Sequence, residues 1–169
     1  MLEFFIILLG LIFSYFLKDI NFLGLEFEFF KIGSIYPDFL LIFIIYFAMK
    51  TDEFKAIWIA FFGGLLEDST ILSFSPEESE FVNVLGIHSL IYPLVALVIA
   101  KLQKHLDTEN FKTIMFVVFV SSLVSRIYVW FVMGILDDFY SSYSFIGPSI
   151  YTSVLAPVWF LFLKWIYRL

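Results

Sequence analysis

Apolar residues fall into six long runs along this chain, separated by polar connections. The runs cover residues 4–17, 35–49, 56–66 with an extension to 74, 84–100, 113–136 and 149–166. A full helical crossing of a bilayer takes about 17–25 residues, so the third run is short. It is expected to form a tilted, broken or re-entrant helix, which lipid tolerates only where protein covers the loose backbone. The long alternating segments of an outer-membrane barrel are missing. Alternation occurs once, in Leu25-Glu26-Phe27-Glu28-Phe29. That period of two predicts either a short hairpin lying on the membrane surface or a plain loop, and an apolar edge there could receive a partner strand.

Composition agrees with the pattern. Of 169 residues, 62% are hydrophobic, 24 are Phe, and mean hydropathy is +0.97. Charged residues make up 15%, against about a quarter in a soluble domain. The expected fold class is therefore an all-α membrane protein of six transmembrane helices in one domain, residues 1–169. Phe4 to Leu17 lacks a basic n-region before it and a small-x-small cleavage site, so it reads as a retained span and not a signal peptide. Cysteine is absent, which excludes a disulfide framework or a thiolate metal site. The net charge of −6 argues against nucleic acid as a partner.

Basic residues set the expected orientation. Lys50, Lys55, Lys101, Lys104 and Lys112 lie in the connections at 50–55 and 101–112, and Lys164 and Arg168 lie near the C-terminal end. The connections at 67–83 and 137–148 carry no Lys or Arg, and Lys18 and Lys31 are the only basic residues on that side. The positive-inside rule then predicts cytoplasmic N- and C-termini. The opposite connections hold Glu77, Glu78, Glu80, Asp137 and Asp138, which read as solvated outward-facing charge.

Counting from these boundaries gives the candidate chemistry. Asp38, Asp68, His88 and Arg126 stand twelve to fourteen residues from Lys50, Lys55, Lys101 and Lys112 respectively. At 1.5 Å per residue all four lie roughly 18–21 Å from one boundary of a ~30 Å core. An unpaired Arg at such depth costs at least ~2.5–3.5 kcal/mol, and a guanidinium can hold a carboxylate bidentately. Arg126 is thus expected to pair with Asp68 or Asp38, with Ser121, Ser122 and Ser125 adding hydrogen bonds across helices. Glu67 stands about 100° around a helix from Asp68 and does not share its face. The layer fits a buried polar latch that fixes helix register, a ligand or ion cavity between spans, or a catalytic site. No nucleophile–base set, HExxH, GxSxG, P-loop or dinucleotide motif supports the last. With one histidine in the layer and no cysteine, neither a metal site nor a cofactor is expected.

Ala60, Gly63 and Gly64 offer a small-residue face for close helix packing. Pro93 and Pro157 fall inside spans four and six, where kinks are expected. Pro37 precedes Asp38 at the start of span two. Trp58, Trp130, Trp159, Trp165, Tyr92, Tyr151 and Tyr167 mostly stand near span ends, as interface anchors do.

Three motifs in order resemble the rod shape-determining protein MreD family. They are Pro37-Asp38 with Phe39-Leu40-Leu41-Ile42 and Tyr46, then Gly63-Gly64-Leu65-Leu66-Glu67-Asp68, then Leu85-Gly86-Ile87-His88-Ser89-Leu90. Asp68 takes the acid position of that family's glycine-rich segment, and Ser89 stands where the family usually has Ala. The resemblance implies a non-enzymatic subunit of the bacterial cell-elongation complex, multi-pass in the cytoplasmic membrane. The implied partners are the bitopic shape protein MreC, the MreB filament, and the glycosyltransferase–transpeptidase pair of lateral-wall synthesis, besides membrane lipid. The implied fold is similar to the substrate-binding subunit of energy-coupling-factor vitamin transporters. A transporter subunit of that kind is the competing function. It resembles a first span rich in alanine, whereas Phe4 to Leu17 has no Ala and only Gly10 and Ser14 as small residues.

Overall fold

The computed structural model describes residues 2–17, 24–26, 34–70, 86–136 and 145–167. Six helices follow in order: α1 (Leu2–Phe16), α2 (Phe39–Ala48), α3 (Glu53–Thr70), α4 (Ile87–Leu102), α5 (Phe111–Leu136) and α6 (Ile146–Tyr167). A 3₁₀ turn, Gln103–His105, extends α4. Between α1 and α2 a two-residue strand β1 (Leu25–Glu26) pairs antiparallel with β2 (Ser34–Ile35), Leu25 opposite Ile35. The period-two stretch therefore starts a hairpin, and its later residues lie outside the described ones. Ile87–His105, Phe111–Val132 and Ile146–Tyr167 are long and apolar enough to cross a membrane.

The centre of the bundle is α2. All ten of its residues are buried, and Ile42, Phe43, Ile44, Ile45, Phe47 and Ala48 are completely so. A helix apolar on every face has no side to give to water and belongs inside other helices. Its ten residues rise only ~15 Å, half of a ~30 Å hydrocarbon core. Span two of the sequence, 35–49, is thus a shorter helix preceded by extended backbone. That backbone survives because protein covers it: Ile35 is buried, and the Asp38 N–H donates to Thr152 Oγ1 of α6 at 3.1 Å.

The remaining helices wrap α2. α1 turns Ile7, Leu11 and Ser14 inward and leaves Phe5, Leu9, Phe13 and Phe16 on the outer surface, a one-sided stripe at helical spacing. α3 runs unbroken over Glu53–Thr70, so the short third run is a continuous helix there; the extension past Thr70 lies outside the described residues. Asp52 starts α3 by accepting the Lys55 N–H. Both α4 and α6 continue through their prolines, Pro93 and Pro157. The most extensive helix contacts are α3 on α4, then α5 on α6. In the latter, Ser122 Oγ donates to Ser149 Oγ at 3.1 Å in the buried interface.

One end of the bundle gathers the lysines. There Gln103 donates to the Met49 carbonyl, Lys50 Nζ to Thr108 Oγ1, and Lys164 Nζ to Glu109 Oε1 at 2.7 Å. The Lys164 ammonium holds the Glu109 carboxyl below its ordinary range, by hydrogen bond first and by charge second. A lowered carboxyl adds stability above its ordinary value, and that contribution disappears as pH falls through the lowered one. The side chains of Lys164 and Glu109 are 48% and 68% exposed, so screening leaves little. Glu109→Gln should leave Tm at pH 7 nearly unchanged and reduce its fall on acidification to pH 4; high salt should erase the difference.

Candidate functional site

The opposite end holds the polar layer, and its organising groups are helix N-termini. The first turn of a helix leaves backbone N–H groups without partners, and the helix dipole favours negative charge there. α4 begins at Gly86, whose φ of +118° suits glycine and whose lack of a side chain leaves α4 without its own cap. Asp68, eighteen residues earlier on α3, supplies it. Asp68 Oδ2 accepts the N–H groups of Gly86 and Ser89, both at 3.1 Å. Asp68 Oδ1 accepts the N–H of His88 at 2.8 Å and His88 Nδ1 at 2.9 Å. An ionised carboxylate accepts only, so the proton of a neutral His88 sits on Nδ1.

The approach that permits this cap is made by Gly64, one turn before Asp68. A Cβ placed on Gly64 would lie 2.5 Å from Ser89 N and 2.6 Å from the His88 carbonyl carbon, both backbone atoms of α4. Ala60, Gly64 and Asp68 recur every four residues and so share one face of α3; all three are buried. Gly63 faces elsewhere, since its added Cβ would meet Ile44 Cδ1 of α2 at 2.7 Å and Leu11 Cδ1 of α1 at 3.6 Å. The segment Gly63–Asp68 therefore seats α3 against two neighbours and ties down the start of a third helix.

Asp38 does for α2 what Asp68 does for α4. It is the N-cap, with Oδ1 accepting the Leu41 N–H at 2.8 Å. Its Oδ2 accepts the hydroxyl of the buried Tyr92 at 3.2 Å. The Tyr92 ring lies edge-on to His88, centroids 5.4 Å apart. Tyr92 thus links the two carboxylate caps. Asp38→Ala should cost about 1–2 kcal/mol, the upper part of the range for a lost N-cap, read as a lower Tm in detergent; Thr152→Val, which spares the carboxylate, should cost less.

The expected pairing of Arg126 is corrected here. Among the described residues Arg126 forms no ion pair with Asp68 or Asp38, and its Nε is shielded from solvent without a hydrogen-bond partner. At Asp68 the reason is saturation: a carboxylate offers about four acceptor sites, and α4 and His88 take four there. Asp38 is engaged instead by the Leu41 N–H and the Tyr92 hydroxyl. Depth counting located the charges but could not see the N–H groups. The signal for them was Gly86, a helix start without its own capping side chain, preceding His88. Tyr92 and Thr152 join the layer without a sequence signal for it; Tyr92, whose place near a span end predicts an interface anchor, is buried instead.

These features define an α-helical membrane protein in which the buried Asp68 and the half-buried Asp38 serve as structural caps. Residues 2–169, essentially the whole chain, match the model of the rod shape-determining protein MreD family, and the chain belongs to that family. No curated protein and no solved structure matches it. Membership assigns it a role in rod shape determination, in a family of structural, shape-determining membrane proteins.

Proposed function

We propose that this chain is a single-domain scaffold, residues 1–169, of the cell-elongation complex in the bacterial cytoplasmic membrane. It crosses with both termini cytoplasmic and binds a bitopic MreC-like partner through its lipid-facing surface. That assembly includes the MreB filament and the glycosyltransferase–transpeptidase pair. The carrying observation is the use made of the buried acids: Asp68 gives every acceptor site to the start of α4 and to His88. A carboxylate so committed holds helices together and is a poor general base. On this reading Asp38, Asp68, His88 and Arg126 form a polar latch, and Ala60, Gly63 and Gly64 are packing positions. The lysine-bearing end supports the orientation. The six-helix plan is read as akin to the vitamin-transporter substrate subunit, with that subunit's transport role set aside because α1 lacks alanine.

The test is depletion in the rod-shaped host, with rescue by the parent and by Asp68→Ala. Loss of rod shape on depletion and co-purification of an MreC-like partner are expected, with both failing for Asp68→Ala. Normal shape after clean depletion would overturn the scaffold role. Saturable vitamin binding by the purified protein would move the assignment to the transporter reading.

A further inference from the structure

A cavity of about 100 Å³ opens at the lysine end, between the C-terminal end of α2, the start of α5 and the second half of α6. It is far roomier than the ~10–15 Å³ that one water needs. Its polar lining comprises Tyr46, Lys50, Thr108, Glu109 and Lys164. Two cations stand against one anion. Lys50 is held by Thr108 Oγ1 at 3.0 Å, and Lys164 is held by Glu109, whose carboxylate also feels the charge of Lys50.

Tyr46 is the unexplained member. It is 1% exposed, and its hydroxyl is shielded from solvent with no hydrogen-bond partner. Its ring is fixed edge-on against Phe160, 5.3 Å between centroids, and Phe160 lines the same cavity. A shielded hydroxyl without a partner is costly, and phenylalanine would fill the same space without that cost. A ligand acceptor in the cavity accounts for the oxygen.

We propose that this cavity binds a phosphate-bearing anion, with Lys50 and Lys164 as its cationic contacts and the Tyr46 hydroxyl as a neutral donor. Lysine is a point-charge phosphate binder, and basic pockets between helices at a membrane boundary suit phospholipid head groups. The rim favours the lipid source over free phosphate: Phe111 and Leu161 line the cavity and are 52% and 54% exposed, giving acyl chains an apolar path outward. Glu109 competes with the ligand for Lys164. This inference stands apart from the scaffold reading, because it concerns the other end of the bundle.

The test uses the full chain in mild detergent. It is titrated with short-chain phosphatidylglycerol, with phosphatidylcholine of equal chain length and with inorganic phosphate. Tm and bound mass by native mass spectrometry are followed. Phosphatidylglycerol should raise Tm saturably and phosphatidylcholine should not. A saturable rise with inorganic phosphate would support the anion site and assign it to free phosphate. Lys50→Gln should weaken binding about tenfold (~1.4 kcal/mol), and Glu109→Gln should tighten it about threefold. Tyr46→Phe should weaken binding about threefold while leaving the ligand-free Tm equal or higher, which separates a ligand role from a packing role. The proposal fails if no anion binds saturably, or if binding is unchanged in both Lys50→Gln and Tyr46→Phe.

Discussion

Gly64→Ala is expected to destabilise the protein by about 3 kcal/mol, the upper part of the range for overpacking a tight interface. For a chain of this size that is roughly 6–12 °C in Tm. The added methyl would meet Ser89 and His88 backbone atoms at 2.5 and 2.6 Å, and backbone inside a helix cannot swing aside. α4 would have to retreat, which also lengthens the Asp68 cap bonds. Gly63→Ala is the control on the adjacent residue. Its methyl meets the far end of the Ile44 side chain, which can rotate, and Ala gains about 0.8–1.0 kcal/mol over Gly in helix propensity. The two alanine variants should therefore melt well apart, and rod shape should fail only with Gly64→Ala. Equal melting would show that α4 does not depend on close approach at Gly64.

Asp68→Ala should be at least as damaging, at about 3–5 kcal/mol. About 2 of this comes from the lost cap and about 1–3 from the His88 ring donor left without its acceptor. Asp68→Asn keeps one acceptor oxygen but brings an NH₂ against backbone donors, and should fall between parent and alanine. The decisive comparison is a pair of double-mutant cycles. Asp68→Ala with His88→Ala should show coupling of 1 kcal/mol or more, since the two side chains touch at 2.9 Å. Asp68→Ala with Arg126→Ala should be closer to additive, since no ion pair joins them. Stronger coupling to Arg126 than to His88 would overturn the cap account and restore the charge pairing suggested by depth alone.

The way the sequence misled about Arg126 is instructive. Opposite charges at equal depth were visible as letters, and electrostatics alone would have joined them. What took the Asp68 carboxylate was a set of peptide N–H groups, which every residue but proline carries and no letter distinguishes. Only the position of α4's first turn makes them special. Asp38 was placed correctly at the start of α2 because Pro37-Asp38 is a local signal for a helix start. Asp68 caps from another helix, so no local signal existed beyond the glycines that flank the contact.

A similar contrast holds for the helices themselves. Hydropathy and lysine placement by themselves determined a lipid-embedded helical chain, the sites of six apolar elements and one basic end. These follow from local composition and from the cost of charge in hydrocarbon, both readable along the chain. Tertiary structure decided that α2 is a short central core helix, that α3 is unbroken to Thr70, and that Gly64 and Asp68 act together on α4. Those outcomes depend on which surfaces cover which backbone, and an apolar run reads alike whether lipid or protein surrounds it.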